Sequence, residues 1–96
     1  MNLTEALAGL GSTKEEVSKV LRDKRIMGYP RSATQCPIAN YLKSCGFPYV
    51  TVDGSLAKVY EGFGYDHGVK EVATMPPHVM NWVLEFDLGH HSQFNF

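Results

Sequence analysis

No apolar run in this 96-residue chain approaches the roughly 20 residues that cross a bilayer, and no basic segment precedes an apolar stretch in MNLTEALAGL. Neither a membrane span nor a secretory leader is expected, and a cytoplasmic location is. Cysteine is scarce. Cys36 and Cys45 fall on what reads as one helix, where roughly 13.5 Å of rise would separate them, too far for a mutual disulfide. The pair therefore reads as reduced thiols. No C-x-x-C or H-x-x-x-H spacing joins these cysteines to His67, His78, His90 or His91, so neither metal nor other cofactor is expected. Internal repeats, low-complexity tracts and long linkers are also missing. A strong charge of one sign is missing too: the net charge is −1, which argues against a large phosphate-driven affinity.

The small net charge conceals a division. Residues 1–46 hold seven Lys/Arg against four Asp/Glu, and the remainder holds two against six. With 44% apolar and 20% charged residues, the chain has the composition of one globular domain and no length for a second core. Residues 1–89 are expected to form it, with the aperiodic tail 90–96 frayed.

Local signals predict an α+β fold with three N-terminal helices, a β-hairpin, a third strand and a C-terminal helix. Asn2-x-x-Glu5 and Ser12-x-x-Glu15 both fit a capping box, in which a cap side chain and a later glutamate satisfy each other's backbone amides. The second helix is predicted from Thr13 to Arg25, burying Val17, Val20 and Leu21. After a polar loop, Pro37 suits a first helical position, with Cys36 as its cap. Ile38, Tyr41, Leu42 and Cys45 then recur at helical spacing and are expected to pack on Val17, Val20, Leu21 and Val83. Asp53-Gly54 between PYVTV and SLAKVY predicts a tight hairpin with Val50 opposite Ala57 and Tyr49 opposite Lys58. Val69 to Thr74 can add a third strand, and Pro77 to Leu88 a last helix that ends at Gly89.

Four groups of residues can carry function. A thiol at a helix N-terminus is drawn toward thiolate by the dipole, so Cys36 with Arg31 beside it is the candidate for a thiol-dependent enzyme; packing or capping is its bland alternative. Three helices and a hairpin are also the element order of a winged helix, in which Arg31, Asn40 and Lys43 would contact DNA and Arg22, Lys24 and Arg25 would flank it. The loop EGFGYDHG brings Phe63, Tyr65, Asp66 and His67 together as a binding segment, unless its aromatics plug the core. The loop from Tyr29 to Gln35, with Tyr29 and Arg31, is a second docking segment.

Residues 32–42, SATQCPIANYL, together with Pro76-Pro77-x-Val79 and Phe86-Asp87-x-Gly89, resemble small bacterial and phage-borne proteins that carry a Cys-Pro-(Ile/Leu)-Ala-x-Tyr-Leu segment. That resemblance covers most of residues 13–89. It implies a compact domain of unknown function in a bacterial or bacteriophage setting and brings no known activity with it. With no catalytic constellation in view, the leading expectation is a non-enzymatic domain that binds another protein, with nucleic acid as the alternative partner.

Overall fold

In a computed structural model that describes residues 1–62 and 68–96, the capping box expected at Asn2 is formed. The Asn2 side chain accepts from the Glu5 N–H at 2.8 Å, the Glu5 carboxylate accepts from the Asn2 N–H at 2.9 Å, and α1 (Leu3–Ala8) begins there. The second cap lies one residue later than expected. Thr13 accepts from the Glu16 N–H at 3.1 Å to start α2 (Lys14–Asp23), and Glu16 reaches back to the Ser12 N–H. Two adjacent cap formers followed by two adjacent glutamates fit either frame, so spacing alone does not choose between them.

The third helix, α3 (Pro37–Ser44), is capped as predicted: the Cys36 sulfur accepts from the Ala39 N–H at 3.4 Å, and Pro37 occupies the first turn, where no backbone donor is needed. Its packing differs from the expectation. Instead of resting chiefly on α2, α3 lies against α1 and the first strand, and α2 packs on the last helix, α4 (Pro77–Asp87). The Tyr41 hydroxyl ties α3 to α1 by donating to the Ala6 carbonyl at 2.7 Å, and burial pushes its pKa up, which keeps it a donor.

Three antiparallel strands, β1 (Val50–Asp53), β2 (Leu56–Tyr60) and β3 (Val69–Thr74), form a sheet in the order β1-β2-β3. The hairpin register corrects the one read from Asp53-Gly54. Val50 faces Val59, Thr51 faces Lys58 and Asp53 faces Leu56, so Gly54 and Ser55 form the turn. Gly54 takes φ 57°, while no positive φ occurs at Ser55, and a glycine in the first central position meets that demand. Because the pairing moves by two residues, every side chain keeps its face. Val50, Val52, Ala57, Val59 and Ala73 point to the helices and join Leu3, Leu21, Leu42, Val79, Trp82 and Phe86 in one buried cluster. Glu71, on the same face, accepts from the Leu3 N–H at 2.7 Å, which places a carboxylate at the start of α1.

The tail packs against the domain. His91 takes a left-handed φ of 56° and leads into a short 3₁₀ turn, Ser92–Phe94. Phe94 is 3% exposed and meets Trp82 edge to face at 5.5 Å. The His91 ring stacks on Trp82 at 4.9 Å and bonds the Glu85 carboxylate at 2.9 Å, which also pairs with Lys14 at 2.6 Å. Trp82 donates to the Ser18 hydroxyl, so α2, α4 and the tail meet around one indole. Among the described residues, no helix is long and apolar enough to cross a membrane.

Candidate functional site

The segment between α2 and α3 is fixed by backbone bonds on two sides. Helix α2 stops at Arg25, whose φ is 57°, while the Ile26 N–H reaches back to the Leu21 carbonyl at 2.9 Å. Glycine usually holds that left-handed position, so an arginine sits there against its conformational preference. Two residues later, the Gly28 N–H donates to the Phe94 carbonyl at 2.8 Å and the Gly28 carbonyl accepts from the Phe96 N–H at 3.1 Å. On the opposite side the Tyr29 N–H donates to the Gln35 carbonyl at 2.9 Å. Gly28 is buried between these two lines. A Cβ there would lie 2.5 Å from the Gln35 oxygen and from the Pro37 nitrogen, closer than any side chain tolerates.

This strapping brings Tyr29 and Phe96 together at the surface. Their ring centroids are 5.0 Å apart with planes tilted by 47°, yet Tyr29 is 49% and Phe96 70% exposed. Met27, 37% exposed, continues the apolar strip. Two hollows flank it and share Arg25, Ile26 and Met27 as a wall. One, of about 460 Å³, reaches Asn40, Lys43 and Phe96; the other, of about 260 Å³, reaches Arg22 and Phe94. The charged side chains lining both hollows are Arg22, Arg25 and Lys43, all cationic. Arg22 and Arg25 are exposed, and neither takes part in a salt bridge among the described residues.

Of the other candidate residues, Phe63, Tyr65, Asp66 and His67 lie outside the described residues. Arg31 is turned away from the Tyr29 strip: its N–H donates to the Asp87 carboxylate at 2.7 Å and its guanidinium to the Asp87 carbonyl at 3.1 Å, clasping the loop to the end of α4. Its φ of 57° is accounted for by that clasp. Asn40 donates inward to the Met27 carbonyl at 2.7 Å and to the Gln35 carbonyl, and Lys43 donates to the Thr34 carbonyl. Five of the eight residues of α3 are buried, and its remaining face is narrow: Asn40 and Lys43, both half-buried and bonded to loop carbonyls, with the exposed Ser44.

Cys36 is also spent on structure. It is 2% exposed, and burial pushes its pKa up to about 11, outweighing the Ala39 and Ile38 amides at its sulfur. Its thiol stays neutral at ordinary pH and holds the first turn of α3. Among the described histidines, His78 bonds the Gly11 carbonyl and His91 bonds Glu85. Among the described residues, no group of three metal-ligating side chains converges.

No family model, curated protein or solved structure matches this chain. Its function is therefore argued from its own geometry. Tyr29 and Arg25 were named as candidates from the sequence, Arg25 as a residue flanking DNA, whereas Met27 and Phe96 were not.

Proposed function

We propose that this chain is a non-enzymatic interaction domain that docks another protein on the strip formed by Met27, Tyr29 and Phe96. One observation carries the reading: two large aromatic side chains are held exposed, side by side, on backbone that is hydrogen-bonded from both directions. Exposed aromatics on rigid backbone bring large contact area with little further loss of conformational freedom, the property of interface anchors. Adjacent cations supply a polar rim. The buried, neutral Cys36 and the buried face of α3 weigh against a thiol-dependent enzyme and a groove-reading helix respectively.

A cytoplasmic bacterial or bacteriophage setting belongs to the same proposal. It rests on the resemblance of residues 32–42 and on two unpaired cysteines. The test is site-specific photo-crosslinking in cells that carry the chain, with the reactive side chain at Tyr29 or, as a control, at the exposed Val72 on the sheet. A discrete partner captured from position 29 and not from 72 is the expected result. Equal capture from both, or none from 29, would refute the assignment.

A further inference from the structure

We infer that the occupant of this strip is an acidic peptide segment that carries one bulky apolar anchor. The inference rests on the docking surface proposed above and deepens it by naming the partner's chemistry. The charge of the hollows comes first. Arg22, Arg25 and Lys43 line them and no Asp or Glu side chain does, in a chain whose net charge is −1. Three cations thus border the strip of exposed apolar side chains, and complementary charge across an interface sets orientation and excludes wrong partners.

At the smaller of the two hollows, size points to a side chain. The hollow between Arg22 and Phe94 is about 260 Å³, below the roughly 300 Å³ at which ordinary small-molecule sites begin, and it has room for one leucine- or phenylalanine-sized group. Its wall includes Ile26 and Met27, and methionine adapts its shape to such groups.

Arg25 supplies a third argument. It occupies the left-handed position that ends α2, where glycine fits without strain, and its guanidinium has no salt-bridge partner among the described residues. That side chain, without a salt-bridge partner among the described residues, is available to an external carboxylate.

Nucleic acid fits less well. Tyr29 and Phe96 turn toward each other at 47°, so they offer no open parallel platform for successive bases, and three cations make few phosphate contacts.

The experiment is a selection of random displayed dodecapeptides on the full chain, followed by binding of the labelled synthetic winners and of labelled oligothymidine. Each is measured against the parent chain, Tyr29→Ala, Arg25→Gly and the double variant Arg22→Glu/Arg25→Glu, after circular dichroism shows each variant folded. The expected winners carry net negative charge and a Leu, Ile, Phe or Trp, bind the double variant about tenfold or more weakly than the parent, and weaken as salt is raised. Neutral or basic winners that still depend on Tyr29 would overturn the acidic class and leave the docking surface standing. Failure of selection, or winners that bind every variant equally, would overturn both. Tighter binding of oligothymidine than of any peptide, or self-association of the chain that the double variant abolishes, would replace the acidic peptide with nucleic acid or a second copy.

Discussion

Replacing Gly28 with alanine adds one methyl group at the point where the loop, the start of α3 and the tail meet. That carbon would lie 2.5 Å from the Gln35 oxygen, 2.5 Å from the Pro37 nitrogen and 2.6 Å from the Cys36 carbonyl carbon. All three are backbone atoms and cannot rotate away. Either residues 35–37 shift, which disturbs the Cys36 cap and the buried start of α3, or Gly28 moves outward and releases its bonds to Phe94 and Phe96. The first route is overpacking, at about 1–3 kcal/mol. The second exposes Phe94, whose burial contributes roughly 1.5–3 kcal/mol. A destabilisation of about 2–3 kcal/mol follows, with a fall in Tm of roughly 8–20 °C for a domain of this size. At an unconstrained glycine, alanine would instead stabilise by about 0.4–1 kcal/mol through the unfolded chain, so the sign discriminates. Urea unfolding followed by the fluorescence of Trp82, the single tryptophan, measures the change. A Gly28→Ala protein as stable as the parent, or more so, would refute the account of how the tail and loop are joined.

Arg25→Gly should act in the opposite direction: relief of a left-handed non-glycine residue, offset by glycine's greater unfolded freedom, raises stability by about 0.5–1 kcal/mol and Tm by roughly 2–6 °C, while binding of the selected peptides falls. Scanning calorimetry and a titration of the same sample read both effects. Leu42→Ala should cost about 2–5 kcal/mol in urea because Leu42 is fully buried. Cys36→Ser should cost about 1 kcal/mol, since serine still accepts from the Ala39 N–H but brings a hydroxyl into buried space. Acid sensitivity should depend in part on Glu85, whose carboxyl is held below its usual value first by Lys14 and then by His91. A lowered folded pKa gives stability that is present above the usual carboxylate value and lost as pH falls through the lowered one. Urea midpoints taken between neutral pH and about pH 3 should therefore decline less steeply for Glu85→Gln than for the parent, and identical slopes would count against the pairing.

Local chemistry was readable where it was self-contained. Asn2 with Glu5 started α1, Cys36-Pro37 started α3, and the third strand and last helix followed their periods. Readings failed where two frames were equally good, or where the deciding contact was remote. Ser12-Thr13 before Glu15-Glu16 allowed two caps, and Asp53-Gly54-Ser55 allowed two turns, of which the register pairing Asp53 with Leu56 selects Gly54-Ser55. The bridge between the tail and Gly28 was not legible, because Gly28 is remote in sequence and carries no side chain to advertise the bond. For the same reason Phe96 and Met27 were invisible as site residues, whereas Tyr29 stood out as an aromatic in a polar loop. Asn40 and Lys43 looked free because the loop carbonyls they satisfy come from residues with no pattern of their own.

The most direct test of the docking surface is an amide chemical-shift map of the isotopically labelled full chain, recorded as a selected acidic peptide is added. Shifts should concentrate at residues 22–29 and 93–96, together with the side-chain amide of Asn40, and leave the outer face of the sheet around Thr51, Lys58 and Val72 unmoved. Shifts centred on that sheet face, with the amides around Tyr29 and Phe96 unchanged, would contradict the account.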